Sequence, residues 1–166
     1  MLGGTAGAQV PPVPAPRPAA QIDRNGVLIL VRSTLLALQQ ANETGNYTVM
    51  RDLGATAFQQ TNTAARLGEI FATLRAQKLD LSGVAVLDPQ LTLLPQIESS
   101  GDMHMKGFFP SVPVQINFEL AYAPVAGRWR LSGISVGLDS STPVAPPAPI
   151  APPTALKEPV GSKRKP

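Results

Sequence analysis

The chain has 166 residues, a length that suits one folded domain, and it contains 18 prolines but no cysteine. The absence of cysteine excludes disulfides, thiolate nucleophiles and cysteine-based metal sites. The net charge of +3 belongs to the ends, because residues 22–138 hold nine basic and nine acidic side chains, and such a neutral domain lacks the basic surface that nucleic-acid binding needs.

The distribution of proline divides the chain into three parts. Five prolines fall within residues 11–18 and eight lie from residue 143 onward. We therefore expect residues 1–21 to be a disordered leader, residues 22–138 to form the domain, and residues 139–166 to be a disordered Ala/Pro-rich tail with a basic end. The small residues 5–9 are typical of the end of a secretory signal peptide, although an ordinary leader explains them equally well. No apolar run approaches the ~18 residues of a membrane span.

Three helices are predicted in the first half of the domain. The first begins at a cap provided by Asp23 or Asn25 and ends near Asn42, before the helix-stopping Gly45. Its first turns, Val27 to Val31, are apolar nearly all round, which predicts burial on more than one side. Residues 47–53 form a short second helix. The third starts at Thr61 or Asn62, after the irregular segment 54–61, and ends around Gln77.

The second half of the domain shows the alternation of β-strands. Short strands are predicted at residues 84–86 and 91–94, and longer ones at residues 103–109, 114–122 and 129–138. A hairpin loop over residues 123–127 joins the last two. In the final strand the apolar side chains change from odd-numbered to even-numbered positions between Leu131 and Ile134. We therefore predict a β-bulge near Ser132 and Gly133. The fold class is therefore α+β, with three helices packed on an antiparallel sheet of about four strands.

This order resembles the NTF2-like superfamily, also called the cystatin-like α+β cone. The resemblance rests on the long first helix that runs into Gly45–Leu53, on the third helix, and on the closing strand pair that ends in the Gly-x-Trp-basic segment Gly127–Val136. It is closest to the bacterial, secreted branch of uncharacterised members. It implies a curved sheet around the first helix, a cone-shaped pocket and a periplasmic or secreted location. It implies no particular chemistry, because this fold carries enzymes, adaptors and assembly factors alike.

The resemblance also suggests which side chains would line the cone. These are large apolar or aromatic residues of the first helix, the helical segments and the two closing strands: Leu35, Tyr47, Phe71, Phe118, Tyr122 and Trp129. The alternative is that they only fill the core. By analogy with family members, a homodimer through the outer face of the sheet is expected.

Each side chain that could be catalytic also has a simpler interpretation as part of a solvated surface. The single histidine, His104, could act as a general base oriented by Asp102, but strand alternation favours a surface position for it. The acids that could serve an isomerase-like site, with Tyr47 or Tyr122 as partner, are Asp52, Glu69, Glu98, Asp102 and Glu119. Each fits a surface role better. Arg128 and Arg130 are expected to point outward while Trp129 fills the core, and no metal or cofactor site is predicted.

The sequence therefore favours a non-catalytic module of the cell envelope that binds a small apolar ligand or a protein partner. One alternative is a small isomerase or cyclase that uses a pocket carboxylate. In a third interpretation the tails bind the partner and the domain only carries them.

Overall fold

A computed structural model of the chain describes residues 17–111 and 114–140, and within them five α-helices precede a four-stranded antiparallel sheet. The α+β class predicted from the sequence is confirmed. Most of the predicted leader and tail lies outside the described residues. The helices are α1 (Arg24–Thr44), α2 (Thr48–Asp52), α3 (Thr56–Thr61), α4 (Ala64–Ile70) and α5 (Ala72–Ala76), and a 3-10 helix spans Ser82–Ala85. The strands are β1 (Gln90–Ile97), β2 (Met103–Phe109), β3 (Val114–Val125) and β4 (Arg128–Ser140).

Helix α1 begins and ends at the residues that the sequence marks. The Asp23 carboxylate accepts a hydrogen bond of 2.7 Å from the backbone N–H of Gly26, which satisfies one free donor of the first turn. At the other end Gly45 has a φ of 71°, and its N–H donates to the Ala41 carbonyl. The helix is two residues longer than predicted and buries Val31, Leu35 and Leu38 completely.

The predicted third helix is wrong in its detail. The segment before it, predicted to be irregular, folds as α3, and the side chain of Thr63, rather than Thr61 or Asn62, caps α4. Helix α4 stops at Phe71, whose backbone angles of −94° and 12° leave the α region, and α5 continues from there. The periodic apolar residues gave one long pattern because Leu67 in α4, Phe71 between the helices and Leu74 in α5 all pack in or against the core.

The predicted strand at residues 84–86 is also wrong, because this segment is the 3-10 helix. The Arg32 side chain donates to the carbonyls of Val84 (3.2 Å) and Leu87 (2.8 Å), so these groups have partners without a neighbouring strand. Val84 is fully buried while Val86 is 82% exposed, which is the burial pattern of a turn. A run of three small apolar residues is compatible with both a short strand and a 3-10 helix, so the sequence pattern did not distinguish them.

The sheet is a meander in the order β1-β2-β3-β4, with β1 at one edge. Strand β1 extends beyond the predicted limit at Pro95, because an edge strand tolerates a residue without an N–H. The Pro95 carbonyl accepts a bond of 3.0 Å from the N–H of Ala20, and the N–H of Ile97 donates to Pro18 at 2.8 Å. The segment before α1 thus pairs with this edge, where Ala19 forms a bridge with Gln96.

The β3–β4 hairpin confirms the predicted bulge. Ala121 pairs with Gly133 whereas Tyr122 pairs with Leu131, so Ser132 is the extra residue of β4. Its insertion places Leu131 and Ile134 on the same face of the sheet. The connecting loop is shorter than predicted, since only Ala126 and Gly127, both with positive φ, lie between the strands.

The core lies between α1 and one face of the sheet. Its sheet side consists of fully or nearly fully buried side chains from strands β2, β3 and β4: Met103, Met105, Phe109, Ile116, Phe118, Leu120, Tyr122 and Leu131. The opposite face carries the polar residues that alternate with them, among them His104, Lys106 and Glu119.

Candidate functional site

An apolar cavity of about 380 Å³ lies between the start of α1 and the edge strand β1. Its wall includes Ile22, Val27 and Leu28 from α1 and the residues just before it, and Leu91 and Leu94 from β1. The remaining lining residues are small, cyclic or charged: Ala19, Ala20, Asp23, Arg24, Pro89 and Pro95. We call this space the α1–β1 cavity.

The segment before α1 forms one wall of this cavity because it is held on the sheet edge. Besides the backbone bonds of Pro18 and Ala20, the Arg17 guanidinium makes an ion pair of 2.7 Å with Glu98. Both side chains are partly exposed, so the pair positions the segment more than it stabilises it. The cavity therefore depends on contacts between residues about 75 positions apart in the chain.

The two charged residues of the cavity already have partners. Asp23 is the cap of α1, and Arg24 lies 3.3 Å from Asp88 in an exposed ion pair. The rest of the lining offers chiefly carbon atoms. A ligand in this cavity would be held mainly by removal of apolar surface from water.

The six side chains predicted from the resemblance to line a pocket lie in the core or against it. Leu35, Tyr47, Phe71, Phe118 and Tyr122 are 0–4% exposed and belong to the core, and Trp129 is partly buried against it. None of the six borders the α1–β1 cavity.

Three of the six, Tyr47, Phe71 and Tyr122, form ordered polar or aromatic contacts. Tyr47 stacks on Phe71, with ring centres 6.2 Å apart and planes 4° from parallel. The Tyr122 hydroxyl lies 2.9 Å from the hydroxyl of Thr34 and donates to the Leu30 carbonyl at 3.0 Å. Burial raises the pKa of Tyr122 well above its ordinary value, and the bond with Thr34 only partly opposes this.

His104 lies in a row of charged side chains on the outer face of the sheet. Its Nε2 is 2.7 Å from Glu119, and its Nδ1 is 3.1 Å from Glu98, although the latter contact lacks the orientation of a hydrogen bond. The side chain is only 15% exposed. Asp102, the partner considered from the sequence, instead accepts a bond of 2.8 Å from Ser132.

The carboxylate beside His104 is held in its charged form. A hydrogen bond from Lys106, 2.9 Å away, lowers the pKa of Glu119; partial burial opposes this, and His104 adds to the lowering. A general base at neutral pH requires the opposite shift. This row of charges therefore suits a network that ties β2 to β3 better than proton transfer.

The sequence contained one sign of the α1–β1 cavity. The first turns of α1 are apolar on more than one side, and in the structure Val27 contacts both core and cavity while Leu28 lines the cavity. No local pattern in the sequence indicated the other wall, from Ala19 to Ile22. These residues lie at the boundary between the predicted leader and the domain.

The described residues contain neither a cluster of metal ligands nor a membrane-spanning helix. In this part of the chain no three His, Cys, Asp or Glu side chains are grouped as metal ligands. None of the helices described has the length and apolar character required to cross a bilayer. Comparisons with protein-family models, with curated proteins and with solved structures find no match to this chain.

Proposed function

We propose that the protein is a non-catalytic binding module and that the α1–β1 cavity takes up a small apolar ligand. The observation that carries this proposal is the cavity itself. Its volume of about 380 Å³ falls within the range of roughly 300–1,000 Å³ that is usual for small-molecule sites. Its apolar walls suit a hydrocarbon chain or ring, since each buried methylene group contributes about 0.8 kcal/mol.

The alternative, a small isomerase or cyclase, has less support. Asp23 is the one carboxylate in the α1–β1 cavity, and its side chain is engaged as a helix cap. Among the described acids with a shifted pKa, Asp80 and Glu119 are both shifted downward, Asp80 chiefly by its bonds with Ser82. An enzyme of this kind would need a carboxylate with a raised pKa inside the pocket.

The fold family, location and oligomeric state complete the proposal. We infer that the chain is an NTF2-like protein exported to the cell envelope, and the helix-then-sheet order supports the first part. Export rests on residues 5–9, which lie outside the described residues. A homodimer through the outer sheet face would have to cover the polar row around His104 and Glu119, so this interface would be polar rather than apolar.

The proposal is tested with the fluorescent apolar probe N-phenyl-1-naphthylamine. Leu94 lines the cavity and is 72% exposed, so Leu94→Asp places a charge at the rim without disturbing the core. We expect this change to weaken probe binding about tenfold, because the probe would have to desolvate a carboxylate. Val86→Asp is the matched control, since Val86 is 82% exposed and lies outside the cavity.

The readout separates the possible outcomes. Binding by the wild type and by Val86→Asp, with a loss in Leu94→Asp, supports the α1–β1 cavity as the site. Equal binding by all three proteins shows that the probe binds elsewhere. Absence of binding to the wild type removes the proposal.

A further inference from the structure

A second cavity of about 380 Å³ lies at the other end of α1, and its character is polar. It is bounded by the last turns of α1, by α5 and by the loop that leads to the 3-10 helix. Its lining residues are Gln39, Asn42, Glu43, Arg75, Lys78, Leu79, Asp80 and Ser82. We call it the α1–α5 cavity, and it shares no residue with the α1–β1 cavity.

The guanidinium of Arg75 is held in place by neutral groups. Its Nη1 donates to the Tyr47 hydroxyl at 2.6 Å and to the Gly68 carbonyl at 2.7 Å. The guanidinium carbon also lies 5.4 Å from the centre of the Tyr47 ring. No carboxylate of the described residues lies within 4.0 Å of it, so this half-buried cation has no ionic partner in that part of the chain.

The other cation of this cavity is also unpaired within the described residues. Lys78 follows α5 with a φ of 50°, a left-handed conformation that costs free energy for a residue with a side chain. Its N–H donates to the Arg75 carbonyl at 3.0 Å, so the turn keeps the two residues adjacent. A second cationic side chain therefore lines the cavity three residues after Arg75.

Two carboxylates, those of Glu43 and Asp80, also line this cavity. Gln39 is 7% exposed, and its amide nitrogen lies 2.8 Å from Glu43 and 3.4 Å from Asp80. Asp80 also accepts a bond of 2.8 Å from the N–H of Ser82. Within the described segments neither acid lies within 4.0 Å of a cationic nitrogen.

The α1–α5 cavity therefore carries two cations and two anions that form no ion pairs with one another among the described residues. Separated charges of both signs around a small space complement a molecule that carries both signs itself. We propose that this cavity binds a free α-amino acid, with its carboxylate against Arg75 and Lys78 and its ammonium group against Glu43 and Asp80. The volume leaves room for a side chain of moderate size.

The amide of Asn42 also lies in the wall of this cavity. The Asn42 carbonyl oxygen accepts a bond of 2.6 Å from the Tyr47 hydroxyl, so the amide has a defined orientation. Its buried Nδ2 has no acceptor among the described residues. Tyr47 thereby links Asn42 to Arg75, and together these residues form a polar wall supported by the stacked ring of Phe71.

The test is calorimetric titration of the full-length protein with individual L-amino acids, among them glycine, glutamine, glutamate and arginine. We expect at least one to bind with a Kd of about 1 mM or tighter. Propionate and propylammonium, which each carry one of the two charged groups, should bind at least about tenfold more weakly, because each satisfies only half of the site.

Two exposed residues provide the variants. Lys78→Gln and Glu43→Gln should each weaken binding by about tenfold, since each removes one charge that would contact the ligand. Arg128→Gln is the matched control, because Arg128 is exposed on the β3–β4 hairpin and lies outside the cavity. All three variants should bind N-phenyl-1-naphthylamine like the wild type, which keeps this test independent of the α1–β1 cavity.

The proposal is overturned by any of three results. The first is that no amino acid binds. The second is that propionate binds as tightly as the amino acid, which would indicate a simple anion site. The third is that Lys78→Gln and Glu43→Gln bind the amino acid as tightly as Arg128→Gln does.

Discussion

Removal of the Tyr122 hydroxyl should destabilise the domain at neutral pH and should have less effect at alkaline pH. In the fold this hydroxyl accepts a bond from Thr34 and donates to the Leu30 carbonyl, inside the core. A typical buried hydrogen bond contributes about 0.5–1.5 kcal/mol net, so Tyr122→Phe should lower the free energy of unfolding by about 2 kcal/mol. For a domain of this size that equals a fall in Tm of roughly 6–12 °C.

The alkaline part of this prediction follows from the raised pKa of Tyr122. In the unfolded chain the phenol loses its proton near pH 10, whereas the folded protein still holds it. Above that pH the unfolded state therefore binds fewer protons, and wild-type stability falls as pH rises. At pH 11, about one unit above the pKa of the unfolded phenol, the loss is on the order of 1 kcal/mol, and Tyr122→Phe does not undergo it. The difference between the two proteins should thus shrink to roughly half of its value at pH 7.

Urea unfolding at pH 7, 9, 10 and 11 measures both quantities. Thr34→Val, alone and combined with Tyr122→Phe, gives the coupling energy between the two hydroxyls, which we expect to be about 1 kcal/mol. The reasoning is refuted if Tyr122→Phe costs less than about 0.5 kcal/mol at pH 7. It is equally refuted if the difference between wild type and Tyr122→Phe is the same at pH 7 and pH 11.

Two substitutions and one deletion provide further tests of the fold. Gly107→Ala should cost about 1–3 kcal/mol in urea unfolding, because its Cβ would overlap the Gln90 carbonyl and the Phe118 ring; an unchanged midpoint would show that the β1–β2 pair is looser than described. Asp23→Ala should lower the free energy of unfolding by about 1 kcal/mol, because α1 loses its cap. Asp23→Asn should retain most of the stability, because its amide oxygen can still cap the helix. Deletion of Ser132 should abolish the cooperative unfolding transition, because it moves the side chains of one half of β4 to the other face of the sheet. Ser132→Ala, which only removes the hydrogen bond to Asp102, should remain folded. A deletion variant that still folds would contradict the bulge.

Local signals in the sequence were sufficient for much of the architecture. A cap at Asp23 and a left-handed stop at Gly45 are properties of a few adjacent residues, so α1 could be placed within two residues. The bulge at Ser132 followed from the change of parity between Leu131 and Ile134. Such features depend on backbone geometry and on which side of one element is apolar, and both can be read within a short window.

Other features depend on partners that are distant in the chain. The segment at residues 84–86 forms a turn rather than a strand because Arg32, more than fifty positions earlier, binds the carbonyls of Val84 and Leu87. His104 contacts Glu98 and Glu119 instead of Asp102, because strand pairing and the β1–β2 connection bring those carboxylates to it.

The chain by itself determined the α+β class, the cap and stop of α1, the bulge in β4 and the neutrality of the domain. Only the tertiary structure decided which apolar surface stays open at the α1–β1 cavity and which charges stay unpaired at the α1–α5 cavity. The physical reason is that Glu43, Arg75 and Asp80 acquire a common environment only when helices and loops separated by some 30 residues pack together. Periodicity records which side of an element is buried, but it does not record what that side meets.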